Sequence, residues 1–208
     1  GNGASSHAIT GVGHQPDWVW IKRRDGAVNH LLHDSIRGVT NLLVSNSTAG
    51  DDSNSNIFLG FDSDGFRVGA NSASNVSSGS FVSWNWKAGG SASSNSDGSI
   101  TSSVSANTTA GFSIVSWTAG SGVGSIGHGL SGVPDLIITK DRDASSAWVT
   151  GSHLINNWDS YLGLNNTNAP TSDVRMYHPS GQATPSSTIF FQDHSAIGSS
   201  GEKLIAYC

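Results

Sequence analysis

The chain has 208 residues, 36% hydrophobic and only 12% charged, with a formal net charge of −5. That mild negative balance, without a basic stripe, argues against a nucleic-acid surface. The single cysteine, Cys208, excludes an internal disulfide and a multi-cysteine zinc site. No run of about 18 apolar residues is present to form a membrane-crossing helix.

Glu occurs once, at Glu202, and Lys only four times. Long helices draw on these residues for their exposed faces. Here β-branched and aromatic residues recur in short runs between Gly, Ser and Asn clusters, a strand-and-turn composition. The chain begins at Gly1-Asn2-Gly3 without an initiator Met or a signal peptide, as a fragment or a processed chain would.

In chain order, the first expected strand is Trp18-Val19-Trp20-Ile21, with large residues at period two. The Lys22-Arg23-Arg24 cluster behind it, followed at once by Asp25, reads as a solvated strand end rather than an anion site. Further strands are expected at His30–His33, Asn41–Val44, Ile57–Leu59, Gly65–Val68 and Phe81–Trp86. Asp51-Asp52 reads as loop solvation. Asp62-Ser63-Asp64-Gly65 resembles the start of a calcium loop, but Ala73 falls where the bidentate Glu would be needed, so a β-turn is favoured. Residues 88–110, with only Ile100 and Val104 as bulky apolar side chains, look like a linker with at most one weak strand. Strands follow at Gly111–Thr118, Leu136–Thr139, Ala147–Thr150, Ser160–Leu164, Asp173–Tyr177 and Thr188–Phe191, with a closing strand ending at Cys208.

A repeat underlies this order. Gly13-His14, then Pro16-Asp17, an apolar strand, Lys22 and Arg24-Asp25 correspond to Gly127-His128, Pro134-Asp135, an apolar strand, Lys140 and Arg142-Asp143. Pro16 and Pro134 lie 118 positions apart. Ser80–Asn85 likewise corresponds to Lys203–Cys208, 123 positions apart. The expected fold is therefore all-β: two tandem β-sandwich domains of jelly-roll or lectin-like type. They are placed at residues 1–90, lacking its first strand, and 111–208, with a Ser/Gly/Asn-rich linker at 91–110. The strand at Gly111–Thr118 has no counterpart before Gly1, and an unpaired sheet edge is an aggregation hazard. That strand is expected to be dispensable, supplied by a neighbouring chain, or part of a longer polypeptide.

The chemistry-bearing residues give little. On a strand, His30 and His33 fall on opposite faces and cannot share an ion. His14 and His128 sit beside glycines and suit turn stabilisation. No G-x-S-x-G elbow, H-E-x-x-H or phosphate loop is present. Glycines 120, 122 and 124 precede no helix, which removes a dinucleotide reading. Of the seven Trp, Trp18, Trp20, Trp84, Trp86 and Trp117 lie in strand-like runs and read as core. Trp148 and Trp158 flank polar loops and are the candidate carbohydrate-stacking residues. Neither a catalytic residue, a metal site nor a cofactor is expected. The Asn-x-Ser/Thr matches at Asn46, Asn75, Asn107 and Asn165 are expected by chance in so polar a chain.

Residues 8–22, with His33–Thr40, Phe61–Gly69 and Trp84–Gly89, resemble a repeat domain of virion proteins of marine tailed phages, tail-fibre-like proteins. Residues 111–115, 127–130, 134–138 and 201–208 resemble a sister form, whereas the loops between 156 and 200 are individual. The resemblance implies a non-catalytic virion fibre module at the virion surface or outside the cell. It implies self-association into a homo-oligomer, a trimer above all, contact with other virion proteins, and host-surface recognition of a glycan by multivalent weak contacts. No nucleic acid or membrane partner follows from it. The alternatives are a head fibre, a capsid decoration or a bacterial extracellular filament assembled by strand complementation, and a lectin-like carbohydrate-binding domain.

Overall fold

The computed structural model describes residues 1–208. Alternating apolar and polar side chains produce short strands, and glycine-rich turns reverse them. The first half contains β1 (His7–Thr10), β2 (Trp18–Arg23), β3 (Leu31–Asp34), β4 (Asn41–Val44), β5 (Asp52–Ser53), β6 (Phe58–Asp62), β7 (Gly65–Val68), the single-turn helix α1 (Ser72–Asn75) and β8 (Phe81–Trp86). The second contains β9 (Ser93–Asn95), β10 (Ser102–Asn107), β11 (Phe112–Thr118), β12 (Val123–Gly127), β13 (Leu136–Asp141) and β14 (Val149–Ser152). It continues with β15 (Ser160–Gly163), β16 (Thr171–Ser172), β17 (Ile189–Asp193) and β18 (Lys203–Tyr207).

Four antiparallel sheets result, and the fold is all-β as expected. A five-stranded sheet has the order β5-β4-β3-β2-β8, and an eight-stranded sheet the order β16-β15-β14-β13-β18-β11-β10-β9. The first five positions of each match, strand for strand. Each large sheet carries a smaller one, β1-β7-β6 in the first half and β12-β17 in the second. Register matches too: Trp20 faces Trp84 across β2 and β8, and Ile138 faces Tyr207 at the same place across β13 and β18.

The shared sequence motif has a physical role. Lys22 Nζ donates to the carbonyls of Gly26 and Val28, and Lys140 Nζ to those of Asp141 and Ala144 and to Ser146 Oγ. Each lysine thereby holds the loop that leads to the next strand. Asp25 accepts from the Ser80 N–H at 3.0 Å, and Asp143 from the Lys203 N–H at 2.8 Å. Each aspartate ties the start of a closing strand to the neighbouring hairpin.

The layers enclose three cores. Period-two alternation sends Val19, Ile21, Phe58, Phe66 and Val68 between the five- and three-stranded sheets. Val115, Trp117, Ile126, Ile137, Phe190 and Leu204 fill the space between the eight- and two-stranded sheets. The third core lies between the two large sheets. There Trp18, Leu32 and Leu43 meet Ile114, Ile138, Trp148, Ile205 and Tyr207. Trp18 stacks on Tyr207 with ring centroids 4.1 Å apart. Each such fully buried large side chain stabilises the pairing of halves by about 1.5–3 kcal/mol.

Two expectations are corrected. Residues 91–110 are not a linker: β9 and β10 extend the large sheet, with Val104 opposite Val115 in register. Small hydroxyls make this possible, because each can be buried with its partner in reach. Ser102 Oγ donates to the Gly127 carbonyl, and Ser105 Oγ both donates to Gly90 O and accepts from Gly89 N. Residues 173–177 form a 3-10 turn, Val174–Met176, not a strand. Asp173 caps it by accepting from the Arg175 N–H, and its carboxylate also holds the Arg175 guanidinium.

Candidate functional site

The junction between the halves carries the densest polar chemistry. Asp34 ends β3 and points into the shared core, and Arg37 follows in the next turn. Both side chains are fully buried, with Arg37 Nε 2.5 Å from Asp34 Oδ2. Arg37 also binds Asp51 at 2.9 Å and the Leu32 carbonyl at 3.0 Å. From the other half, the Tyr207 hydroxyl donates to Asp34 at 2.7 Å, and Arg142 reaches Asp51 at 2.7 Å. Burial pulls the Arg37 pKa down, but the Asp34 carboxylate, with Tyr207 and Asp51, outweighs it and raises the value. Burial, reinforced by Asp34, holds the Tyr207 hydroxyl protonated well above the usual phenol range. Asp34 and Arg37 are thus donor-paired and closed off from solvent, while Asp51 and Arg142 keep a small exposed fraction at the rim.

Asp51 corrects the reading of Asp51-Asp52 as loop solvation: Asp51 clamps two arginines, whereas Asp52 is exposed. Its partners lie 14 and 91 positions away. No local signal could have found them.

The largest concavity opens beside this junction. It encloses about 560 Å³ between the two large sheets. Trp18, Trp20 and Trp86 form one wall; Phe112, Leu136 and Tyr207 form the other. Four tryptophans crowd one face of the first sheet because Trp18 pairs with Trp86 and Trp20 with Trp84 across β2 and β8. The second half covers Trp18. It leaves Trp84 47% exposed. Amphipathic rings at the lip of a cleft are suited to stacking on an apolar or sugar face.

The tryptophans thus invert the sequence-based expectation. Trp148 and Trp158, the candidate carbohydrate residues, are 0% and 2% exposed. Trp148 packs between the halves and donates its indole N–H to the Val44 carbonyl at 3.0 Å. Trp158 is folded inward by a turn in which Asn156, Asn157 and Trp158 all have positive φ, and its ring meets Tyr177 edge-on. Both sit next to polar loops in sequence, but those loops close over them. Trp18 and Trp117 are core as expected, Trp20 and Trp86 are partly buried, and Trp84 is not core.

The histidines remain apart. His33 stacks on Phe58 inside the first core, while His30 lies edge-on to Trp20 on the opposite face. Burial, then the Arg37 charge, pushes the His33 pKa down to about 3. His128 stabilises its turn, with Nδ1 accepting from Leu130 N–H and Nε2 donating to the Ser186 carbonyl; His14 Nε2 has no partner. No group of three or more His, Cys, Asp or Glu comes together. Asp64 accepts from the Gly11 and Gly13 N–H groups, so Asp62–Gly65 is a turn that pins the loop after β1. Gly65 has φ of +150° and a Cβ there would lie 1.9 Å from the Ile9 carbonyl oxygen, so only glycine fits. Asn75, one of the chance glycosylation matches, is fully buried and holds Asn2, Ala4 and His7.

Neither a curated protein nor a solved structure matches the chain. One family model does, over residues 1–208, so it spans both halves and the strands between them. The chain belongs to that family, a domain of unknown function (DUF7483).

Proposed function

We propose that the chain is a non-catalytic structural module of a virion fibre, with its variable loops turned towards a host surface. The observation that carries this reading is the repeated strand order: one scaffold occurs twice and is joined through a buried core, while the loops between the repeated strands differ. A constant scaffold with individual loops is the usual way to separate rigidity from partner choice. The resemblance of residues 8–22 and 84–89 to virion repeat domains supports the same reading. Immunogold labelling of purified phage particles with antibodies to this chain tests it. Label along fibres is the expected result; particles without label, with the antigen confined to host cells, overturn it.

A second reading, a lectin-like surface, is favoured by the aromatic cleft at Trp20 and Trp86, not by Trp148 and Trp158. A glycan array read against a Trp20→Ala variant tests it. Binding that the variant loses supports a sugar site, and an array without hits removes it.

A further inference from the structure

We propose that the aromatic cleft between the halves binds an organic cation, an alkylated ammonium group, held by the rings of Trp20, Trp86 and Phe112 with the Asp135 carboxylate at the mouth. The cleft encloses about 560 Å³, within the range of small-molecule sites, roughly 300–1,000 Å³. Its far lip is specific to the second repeat. The loop from Gly127 to Pro134 is four residues longer than its counterpart from Gly13 to Pro16. That extra length brings Leu130, Ser131 and Val133 to the wall formed by the second half. A loop that departs from the shared scaffold and lines a concavity is a place where partner choice is set.

The rings do not form a flat platform. Trp20 is inclined 45° to Trp18 and 65° to Trp84, with centroids 6.0 and 6.1 Å away. Trp86 is inclined 31° to Trp18 and 30° to Phe112. A sugar ring stacks best on a flat aromatic face, whereas inclined faces close around a compact, rounded group. Sugar hydroxyls would also find few partners. Apart from Tyr207 and Cys208, the polar side chains of the lining are Thr108, Ser131 and Asp135. The Tyr207 hydroxyl is already committed to Asp34.

Charge then selects among compact groups. No Lys, Arg or His lines the cleft, and Asp135, whose side chain is 91% exposed, is the one carboxylate among the lining side chains. Its ion-pair partner is His153, with Nδ1 3.5 Å away. Burial keeps the Tyr207 hydroxyl protonated and pushes the Cys208 thiol up to about 12, so both are neutral. An anion would meet a carboxylate and the negative faces of the rings, and is repelled. A cation is attracted by the same faces. A bare ammonium would leave N–H groups without acceptors in so apolar a lining. A quaternary ammonium has no N–H to satisfy and buries its methyl groups against the rings. The inference assigns the cleft a cation in place of the sugar of the second reading, and it does not depend on the virion reading.

Two-dimensional NMR of the indole N–H groups of the 1–208 chain tests the proposal. Choline is the probe, and neohexyl alcohol, in which carbon replaces the ammonium nitrogen, is the uncharged control of the same shape. The seven tryptophans give seven indole resonances. Choline is expected to shift those of Trp20 and Trp86 saturably and to leave those of Trp117 and Trp158, which lie in another core, in place. The alcohol should bind at least about tenfold more weakly. Trp20→Leu keeps an apolar wall without an aromatic face, and should weaken choline binding about tenfold while changing that of the alcohol little. If this variant fails to fold, choline against the alcohol on the unaltered chain decides alone. Equal affinity for the two probes, no saturable shift with choline, or undiminished choline binding by a folded Trp20→Leu variant overturns the proposal. So does a cleft that responds to neutral oligosaccharides and not to choline, which would make it a sugar site.

Discussion

Replacing Arg37 by Met removes the only cation in contact with Asp34. The Asp34 side chain is fully buried, and after the change it keeps the Tyr207 hydroxyl at 2.7 Å and the N–H groups of Ile36 and Arg37 at 3.1 and 2.8 Å. These donors stabilise a carboxylate but do not neutralise it. The Leu32 carbonyl also loses the Arg37 donor, while Asp51 retains Arg142. Breaking a buried pair on one side typically costs about 3–5 kcal/mol, because a charge is stranded in a poorly polarisable place. Urea unfolding followed by tryptophan fluorescence measures the loss directly, since Trp18 stacks on the Tyr207 ring of the same network. The triple variant Asp34→Leu, Arg37→Met and Tyr207→Phe removes both charges and the hydroxyl together, and is expected to recover at least half of the loss. A single-variant loss below about 1 kcal/mol, or a triple variant no more stable than the single, would refute the assignment of this network as the ionic lock between the halves.

Acid should weaken the fold through His33. Its folded pKa of about 3 lies below the ordinary imidazole value of 6.5, so between these pH values only the unfolded chain takes up the proton. Stability is then lost as pH falls from 6.5 towards 3, at about 1.4 kcal/mol per unit from this group. His128 and His194, lowered chiefly by burial, act in the same direction. His33→Phe, which keeps the stack on Phe58, should flatten this slope in urea titrations at pH 5 and pH 7; an unchanged slope would acquit His33. Trp148→Ala opens a large hole in the shared core and is expected to cost about 3–5 kcal/mol; a loss below about 1 kcal/mol would contradict its burial. Residues 1–90 and 91–208 produced separately expose the faces around Trp18 and Trp148, and each should bind a hydrophobic dye such as ANS strongly. Two stable, dye-silent monomers would show that the shared core is not needed.

The strands that sequence alone reveals are those whose pattern is local. β4, β7 and β8 begin and end at the expected residues, because a short apolar run in β4 and alternating large side chains in β7 and β8 are bracketed by turn residues. β9 and β10 escaped notice because they are built from serines. A buried serine has no hydrophobic signature, and only its hydrogen-bond partners at Gly89, Gly90 and Gly127 reveal it. The exposure of the tryptophans failed for the opposite reason. Period two says which face of a sheet a ring is on, not whether another sheet lies against that face. Trp84 and Trp18 share a face, yet one is open and the other buried. The lock of Asp34, Arg37, Asp51, Arg142 and Tyr207 draws on both repeats, so it could not be read within either.

The pairing of the two halves sets a limit on growth. In each repeat the small sheet covers one face of the large sheet, and the opposite face meets the other repeat. The two repeats use the same side of their scaffolds, but the contact is not symmetric: Tyr207 is buried on Trp18, whereas its counterpart Trp84 is 47% exposed. Each half is fitted to the other rather than to a copy of itself. With both faces engaged, a further repeat would have to be joined through the sheet edges or the loops.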